Sequence, residues 1–176
     1  MLEVLPANIV VGDTVLYNFN VYPDRFTLVK KLVWYRNMFR HSFANTNPVT
    51  KESTTKYIEN IIQNSTTRAM YAIELKGELI GVYGISELPG KRFMLDHALR
   101  FSPEGDKNLF SDIGKRLVYM VGEIDSDALV FIAIKTGNKF AEKAHNYGFF
   151  APMESVELEG LNYGPEIELK KFVGLR

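Results

Sequence analysis

Residues 69–85 read AMYAIELKGELIGVYGI, and they indicate which kind of sheet the chain forms. Two runs rich in apolar, β-branched and aromatic residues, Ala69 to Leu75 and Leu79 to Ile85, are separated by only three residues. The middle residue of the three is Gly77, and glycine permits the positive φ angles that tight turns between antiparallel strands require. The stretch therefore predicts an antiparallel β-hairpin.

A Pro-Gly turn follows the hairpin and leads into a third strand, Phe93 to Phe101. Alternation along a regular strand predicts that Phe93, Leu95, Leu99 and Phe101 share one face, which is apolar except for His97. On such a face we expect His97 to be a core histidine. Asp96 and Arg100 fall together on the other face, where an ion pair between them is expected.

The chain before the hairpin predicts one strand and two helices. Val15 to Val21 alternates weakly and indicates a strand, which Pro23 ends. From Leu28 to Phe43, apolar residues recur at spacings of four, three and four, as on one face of an amphipathic helix. Thr50 is positioned to cap a second helix, whose predicted buried stripe is Tyr57, Ile58, Ile61 and Ile62.

The chain after the third strand alternates between helices and strands, which is typical of parallel pairing. The pattern predicts a helix from Asn108 to Ile124 and then a strand buried on both faces from Ala128 to Ile134. A short helix from Asn138 to Tyr147, stopped by Gly148, follows. A last hairpin is predicted from Val156 to Leu158 and from Ile167 to Phe172. We therefore expect a single α/β domain over residues 1–176, with a central mixed sheet flanked by helices.

The composition argues against several classes of function. The chain has 21 Lys and Arg residues and 21 Asp and Glu residues, so no overall positive field attracts nucleic acid or an anionic membrane. It has no cysteine, and its three histidines are far apart in sequence, so no metal site is predicted. The N-terminus lacks the basic region of a signal peptide, and the longest apolar run is too short to span a bilayer. We therefore expect a cytoplasmic protein.

Two further stretches are more specific than the order of elements. Residues 34–37 read WYRN, residues 47–50 read NPVT, and Tyr57 follows them. Residues 138–143 read NKFAEK, with Gly and Phe at 148–149. The first set resembles the branch of the GNAT superfamily that acetylates ribosomal-protein N-termini and amino sugars, and the second resembles that superfamily's asparagine, alanine and glycine-phenylalanine signature. The resemblance covers nearly the whole chain and implies the GNAT fold, with the order β-α-α-β-β-β-α-β-α-β-β.

This resemblance implies an acyl-CoA cofactor, acetyl-CoA or another acyl-CoA, and an amine acceptor. In the family, the loop between the first two helices helps to shape the acceptor site, so Arg36, Asn37 and Asn47 are expected to bind the acceptor. The signature asparagine contacts the cofactor in the family, so Asn138 inherits that role. The alternative is that Asn138 only caps its helix.

The family binds the CoA pyrophosphate on backbone amides at the start of the helix after the third meander strand, with glycines permitting close approach. The resemblance assigns cofactor contacts here to Leu99, Arg100, Phe101, Lys107, Asn108 and Leu109. The equivalent turn departs from the family's pattern because it keeps one glycine. Glu104 and Asp106 also bring negative charge toward a phosphate, which Lys107 offsets in part.

Catalytic residues are assigned by the same resemblance. The family's catalytic acid is a tyrosine on the last helix, and its position falls on His145 or Ala144, depending on the end from which the helix is counted. His145 has a suitable pKa range for proton transfer, and the alternative is an ordinary surface histidine. A general base is expected from the meander, where the candidates are Asp96, His97 and Glu87.

Two functions follow from these patterns. The first is an acyl-CoA-dependent N-acyltransferase that transfers an acetyl group to a primary amine, such as a peptide N-terminus, an amino sugar or another small amine. The alternative is a catalytically inactive GNAT-fold assembly protein, because the degraded phosphate turn resembles GNAT-like head-assembly and internal virion proteins of tailed bacteriophages. The protein would then reside in the host cytoplasm or the virion. The last hairpin could extend a sheet to a second copy or to an assembly partner.

Overall fold

The computed structural model describes residue 2 and residues 5–43, 45–139, 141, 149–155 and 157–174. Its regular elements are β1 (Asn8–Val11), β2 (Thr14–Asn18), α1 (Arg25–Met38), a 3-10 turn (Arg40–Ser42), α2 (Lys51–Tyr57), a π-helical turn (Ile58–Ile62), β3 (Arg68–Leu75), β4 (Glu78–Leu88), β5 (Arg92–Arg100), α3 (Leu109–Ile124), β6 (Leu129–Lys135), β7 (Phe150–Pro152) and β8 (Ile167–Phe172). None of the helices in these ranges has the length and apolar character needed to cross a bilayer.

The strands form one mixed sheet in the order β1-β2-β3-β4-β5-β6-β8-β7. Neighbouring strands are antiparallel, except for β5 and β6, which are parallel. Parallel neighbours need a crossover connection, and α3 supplies it. The predicted mixed α/β sheet is confirmed, as is the meander formed by β3, β4 and β5.

The two faces of the sheet pack against different helices. On one face, α3 presents an apolar stripe in which Ile113, Leu117 and Val121 are buried. On the other face, α1 and the segment that follows α2 bury Leu28 and Ile58 against the sheet. Burial of a large aliphatic side chain contributes about 1.5–3 kcal/mol, so each layer adds substantially to stability.

A β-bulge interrupts β5. Gly84 of β4 pairs with Asp96, whereas Val82 pairs with Leu99, so two residues of β5 stand opposite one residue of β4. One of the two is His97, whose φ is +50°. A bulge of this kind bends the strand and re-aims the side chains beside it.

The bulge reverses the alternation of the strand. Phe93 and Leu95 belong to the core beneath α3, whereas Leu99 and Phe101 belong to the core beneath α1 and α2. The prediction that all four share one face with His97 is therefore wrong. A regular strand was assumed, and nothing in the alternation of residues marked the extra residue.

β5 and β6 separate after a short parallel ladder. Their pairing runs from Arg92 opposite Leu129 to Leu95 opposite Ile132. Beyond these pairs, the described part of β5 pairs only with β4, and that of β6 pairs only with β8. The two facing edges therefore carry backbone N–H and C=O groups that have no partner strand. α3 follows β5 in the chain, and its first turn lies beside the β1-β2 and β3-β4 turns.

Three local predictions differ from the structure. The predicted strand from Val15 to Val21 is present as β2, but β2 ends at Asn18 and pairs with β1, a strand that was not predicted because its residues give no alternation. The π-helical turn adds a residue to the helical repeat, which leaves Ile61 exposed instead of buried. In the last hairpin, β8 pairs with β7 rather than with Val156 to Leu158; Val156 lies outside the described residues, and Leu158 is in a turn.

Candidate functional site

A hydrogen-bonded network forms at the bulge, on the face of the sheet that packs against α1 and α2. The Asp96 side chain is at its centre and is only 13% exposed. Its Oδ2 accepts a hydrogen bond from the Ser86 hydroxyl at 2.6 Å, and its Oδ1 lies 3.0 Å from Nδ1 of His97. Nε2 of His97 lies 3.4 Å from the Tyr57 hydroxyl. The four side chains form one continuous chain from β4 to the end of α2.

Local backbone features make room for this network. Gly84 stands directly opposite Asp96, and a Cβ at this position would lie 2.2 Å from Asp96 Oδ1. No side chain fits there, so the position of the carboxylate requires glycine. His97 adopts a left-handed φ, which His, Asn and Asp tolerate better than most residues do.

The network sets the protonation state of its members. Burial raises the pKa of Asp96, but His97 and the hydrogen bond from Ser86 outweigh burial and hold that pKa below its ordinary value. Asp96 is therefore a carboxylate at neutral pH, and a carboxylate only accepts hydrogen bonds. Nδ1 of His97 consequently carries a proton, and in the tautomer with this proton Nε2 is the acceptor of the ring.

His97 is also accessible, with 39% of its side chain exposed. The expectation of a core histidine is therefore wrong, since the bulge turns the ring away from the apolar face. Its Nε2 is directed to Tyr57, on the side of the sheet where the loop between α1 and α2 lies.

The structure separates the other base candidates from this network. Glu87 stands directly opposite Phe93, which lies in the core beneath α3. Directly opposite residues of an antiparallel pair project from the same face, so the Glu87 side chain lies on the α3 face of the sheet, whereas the network lies on the face of α1 and α2. The predicted ion pair of Asp96 with Arg100 is wrong as well, because the bulge places Arg100 on the α3 face, with its guanidinium carbon 5.7 Å from the centre of the Phe110 ring. His145 lies outside the described residues.

Arg100 organises the turn between β5 and α3. Its guanidinium donates hydrogen bonds of 2.8, 2.9, 2.7 and 3.3 Å to the carbonyls of Ser102, Pro103, Glu104 and Gly105. Because the N–H of a peptide unit points opposite to its C=O, the amides in this turn point away from the guanidinium. Arg100 therefore shapes the turn, and its own donors are used within it.

The same turn leads into the backbone amides at the start of α3. Asn108 forms no side-chain cap, but its own amide donates to Asp106 Oδ1 and the Leu109 amide donates to the Asp106 carbonyl at 3.1 Å. The donors that α3 can offer to a phosphate are therefore the amides that follow Leu109. Gly105 has φ of +90°, and a Cβ there would lie 2.9 Å from Leu109, so this one glycine is required. Glu104 and Asp106 add negative charge beside these donors, although Asp106 Oδ1 accepts the Asn108 amide at 2.7 Å. Asp106 thus occupies the amides of Asn108 and Leu109, and the acidic side chains of the turn weaken the binding of a phosphate here.

The remaining cofactor candidates fall into two groups. Leu99, Phe101 and Leu109 are buried, so only their backbone atoms can contact a ligand. The carbonyl of Phe101 already accepts a hydrogen bond from the Tyr35 hydroxyl. Lys107 is exposed at the tip of the turn, where its charge can partly offset the acidic side chains.

A cavity of about 500 Å³ lies on the other side of this turn, beside the β1-β2 and β3-β4 turns. It is lined by five carboxylates and one lysine: Asp13, Glu78, Glu104, Asp106, Asp112 and Lys76. Gly105 and Leu109 also line it, so this acidic cavity adjoins the start of α3, and its charge disfavours a phosphate there. In the ranges that the structure describes, no group of three or more His, Asp or Glu side chains is arranged to hold a metal ion.

The predicted acceptor residues mainly fix the loop between α1 and α2. The Asn37 side chain exchanges two hydrogen bonds with the backbone of Val49, at 2.9 and 2.8 Å. Asn47 is exposed, and its amide donates to the Asn45 side chain at 3.0 Å. Arg36 donates to the Asn45 carbonyl at 2.8 Å, but one of its guanidinium nitrogens is buried without an acceptor among the described residues.

Asn138 forms hydrogen bonds within the protein. Its Oδ1 accepts the amide of Ala141 at 3.2 Å, which is the capping interaction considered as the alternative role, and its Nδ2 donates to the Ser42 carbonyl at 3.2 Å. The rest of the predicted helix, Asn138 to Tyr147, falls on residues 140 and 142–148, outside the described ranges.

No protein-family model and no curated protein sequence matches this chain. Solved structures do resemble it. RimL, the ribosomal L7/L12 alpha-N-protein acetyltransferase in complex with coenzyme A, superimposes with a TM-score of 0.72 at 14% identity, over 94% of this chain and 96% of RimL. MccE, the microcin C7 self immunity acetyltransferase in complex with acetyl-CoA and AMP, gives a TM-score of 0.68 at 17% identity, over 98% of this chain and 99% of MccE. The chain has the GNAT fold.

A third GNAT structure is similar, the N-acetyltransferase PseH of Campylobacter jejuni in complex with acetyl coenzyme A. It gives a TM-score of 0.62 at 9% identity, over 90% of this chain and 97% of PseH. At identities this low, the likeness extends to the GNAT fold and to no individual residue. The roles of the network residues therefore depend on their geometry in this chain.

Sequence reasoning missed two residues of the network. Nothing in the sequence marked Ser86 as a residue of the site, since a serine in an apolar strand is common. Tyr57 was expected as a member of a buried helical stripe and as part of the motif that carries the resemblance, but no role at the site was assigned to it. The available signal was Gly84, because a glycine inside a strand often marks a close approach of another group.

Proposed function

We propose that this chain is an acyl-CoA-dependent N-acyltransferase that transfers an acetyl group to a primary amine. The observation that carries the proposal is the separation of β5 from β6 beyond Leu95 and Ile132, which leaves two facing strand edges open. The amides of a pantetheine arm can pair with an open strand edge, and a pyrophosphate can bind the amides of a helix N-terminus. The likeness in fold to RimL, PseH and MccE, whose structures contain CoA or acetyl-CoA, supports this proposal.

Acetyl-CoA, when bound, supplies the acyl group as an activated thioester. The protein has to hold the amine and remove a proton, because a primary amine is an ammonium ion at neutral pH and only the free amine is nucleophilic. Nε2 of His97 is the proton acceptor. Asp96 holds Nδ1–H and stabilises the imidazolium that forms, as a buried carboxylate does for a catalytic histidine.

Two further groups assist. The Tyr57 hydroxyl lies beside Nε2 and relays the proton from the amine to the ring. In the bulge, one residue of β5 has no partner in β4, and the N–H groups of such a residue are suited to bind the acyl oxygen as it gains charge.

The function is tested by following thiol release from acetyl-CoA with a panel of amines: a peptide with a free N-terminus, an amino sugar and a small diamine. Amine-dependent release is expected, and His97→Asn should lower it about 10²–10⁴-fold, the usual contribution of a general base. Asparagine tolerates the left-handed φ at this position, so the variant should keep the fold.

Release that does not depend on an amine would overturn the proposal, as would the absence of release with acetyl-CoA and longer acyl-CoAs in folded protein. The second outcome would leave the inactive assembly protein as the alternative, which the comparisons do not favour.

A further inference from the structure

Arg36 has a guanidinium group that is only partly used by the protein. Nη2 donates to the Asn45 carbonyl at 2.8 Å, and the guanidinium carbon lies 3.7 Å from the centre of the Phe43 ring. Nη1 is buried, yet no described residue accepts a hydrogen bond from it. No described carboxylate forms an ion pair with Arg36 either. A buried charged donor without an acceptor is costly, so its presence indicates that a ligand completes the site.

The charge of this guanidinium acts on Tyr57, a member of the network at the bulge. Burial raises the pKa of Tyr57 and Asp96 raises it further, while Arg68 and Arg36 oppose both effects, so the two guanidinium groups act on the same hydroxyl. Burial also lowers the pKa of Arg36 itself, although Tyr57 opposes this. The Tyr57 hydroxyl is in turn 3.4 Å from Nε2 of His97.

Arg68 is a second cation that acts on Tyr57, with which its side chain interacts. It begins β3, it is exposed, and it forms no ion pair with the described residues. Its charge also acts on Asp96. The only carboxylate of the network, Asp96, is already engaged by Ser86 and His97. Among the described residues, no ion pair neutralises the two guanidinium groups on this side of the network.

We propose that the amine acceptor carries an oxyanion, a carboxylate or a phosphate, and that Arg36 binds it with Arg68 alongside. This inference rests on the proposed acyltransferase function and narrows its acceptor class. A guanidinium group presents parallel N–H donors that match the two oxygens of a carboxylate or phosphate. Binding an oxyanion here would satisfy Nη1 and leave the amine of the acceptor near Tyr57 and His97. A polyamine, which is cationic along its whole length, would be repelled.

A purely structural Arg36 would behave differently. The contacts to Asn45 and Phe43 hold the loop between α1 and α2, and losing them would impair all acceptors alike. An oxyanion site instead discriminates between acceptors that differ only in that group, because the neutral analogue leaves the donors unpaired. The ratio of kcat/KM for such a pair is therefore the quantity that separates the two roles.

The experiment uses two matched pairs of acceptors with acetyl-CoA: a dipeptide and its C-terminal amide, and an amino sugar phosphate and the free amino sugar. Wild-type protein is expected to favour the anionic member of at least one pair by about 100-fold in kcat/KM, mostly through KM. The pair that shows the preference distinguishes carboxylate from phosphate. Arg36→Gln should lower kcat/KM for the anionic member at least about 10-fold more than for the neutral member, so most of the preference is lost.

One control variant and one further test variant accompany Arg36→Gln. Arg40→Gln removes an exposed charge just beyond α1 and should leave the preference unchanged. Arg68→Gln changes an exposed side chain and should reduce the preference by about 3–10-fold, so it tests the inference even if Arg36→Gln fails to fold. Equal kcat/KM for the neutral and anionic members in wild type would overturn the inference, as would an equal loss for both members in Arg36→Gln.

A binding measurement separates this inference from the function on which it rests. Inorganic phosphate and acetate are titrated into the protein without acetyl-CoA, and stability is followed in wild type and in Arg36→Gln. Stabilisation that depends on Arg36, without any acetyl transfer, would retain the anion site and refute the acyltransferase. Transfer without anion preference would retain the acyltransferase and refute the anion site. The anion site would also be refuted if neither anion stabilises the wild type and the wild type does not prefer the anionic acceptors.

Discussion

Nδ1 of His97 lies 3.0 Å from Oδ1 of Asp96, although neighbouring side chains of a regular strand point to opposite faces. The contact is possible because His97 has φ of +50° in the β5 bulge, which turns its ring to the side of the carboxylate. One local irregularity of the backbone thus joins a buried anion to an accessible imidazole.

Removing the charge of Asp96 should slow transfer without unfolding the protein. In Asp96→Asn, the side-chain amide can donate to Nδ1, which moves the ring proton to Nε2 and removes the proton acceptor. We expect kcat to fall about 10²–10⁴-fold, as measured by thiol release at saturating amine. Ser86→Ala removes a hydrogen bond and leaves the charge, so its effect should be about 10-fold or less. Full activity of Asp96→Asn would rule out the proton path described above.

The glycine opposite Asp96 offers a second way to disturb the network. A Cβ in Gly84→Ala would stand 2.2 Å from Asp96 Oδ1, so the carboxylate must move. The matched control is Gly81→Ala on the other face of β4, where the Cβ would lie 2.4 Å from the Phe110 ring. Both variants should lose stability by about 1–3 kcal/mol, but only Gly84→Ala should lose kcat by more than about 10-fold. Denaturation curves and initial rates compare them, and equal losses of kcat would speak against a special role for Asp96.

The loop between α1 and α2 depends on Asn37. Its side chain makes two hydrogen bonds with the backbone of Val49, so Asn37→Ala leaves a backbone donor and acceptor unpaired. We expect a loss of about 1–3 kcal/mol in the free energy of unfolding, as measured by urea denaturation. Asn47→Ala is the control, because Asn47 is exposed and its bond to Asn45 uses only the backbone amide. A change below about 0.5 kcal/mol for Asn37→Ala would show that the loop is held by other contacts.

Charge at the turn before α3 should limit cofactor affinity. Glu104 is exposed, and its carboxylate stands near the amides proposed to bind the pyrophosphate. Glu104→Gln should therefore tighten acetyl-CoA binding by about 3–10-fold at low ionic strength, and the gain should shrink in 0.5 M salt. Glu123→Gln, at the opposite end of α3, is the matched control. Calorimetric titration measures both variants, and a weaker or unchanged affinity in Glu104→Gln would place the phosphates elsewhere.

Buried tyrosines should make the protein sensitive to alkali. Burial raises the pKa of Tyr71 to about 12, and its hydroxyl donates to the Pro6 carbonyl at 3.2 Å. Burial and Glu74 likewise raise the pKa of Tyr22. Because both folded-state values lie above that of an unfolded tyrosine, this stability is fully present below about pH 10 and is lost as the pH rises through the folded values.

Each such tyrosine should lower the free energy of unfolding by about 1.4 kcal/mol per pH unit in this window. Urea denaturation between pH 8 and 12 measures the slope. Tyr71→Phe should remove the contribution of one tyrosine, about 1.4 kcal/mol per pH unit, from this slope. Tyr119→Phe changes an exposed tyrosine and should not alter the slope. An unchanged slope in Tyr71→Phe would mean that Tyr71 ionises equally well in the folded protein.

Much of the fold could be predicted because its elements have strong local signals. The alternation and turn in residues 69–85 predicted β3 and β4, and the helical periodicity from Asn108 to Ile124 predicted α3. The continuous apolar run that became β6 reflects burial on both faces of the sheet. Thr50 was also predicted as a cap, and a capping box with Ser53 is present.

The network could be predicted only in part. Asp96 and His97 were candidates because they lie on the third meander strand, but the bulge that joins them has no glycine or proline to mark it in the sequence. Ser86 and Tyr57 reach the same place from β4 and the end of α2, and contacts between distant elements leave no local pattern. The pairing of β7 with β8 was missed for the same reason, since β7 has only three residues.

Titration of acetyl-CoA into the wild-type protein, followed by calorimetry and by thermal melting, tests whether the gap between β5 and β6 holds an acyl-CoA. We expect saturable one-to-one binding, and a stabilisation of about 2.7 kcal/mol when the free ligand is at 100 times its dissociation constant. No heat of binding and no change in melting temperature with millimolar acetyl-CoA or longer acyl-CoAs would mean that the open strand edges and the α3 amides serve no acyl-CoA.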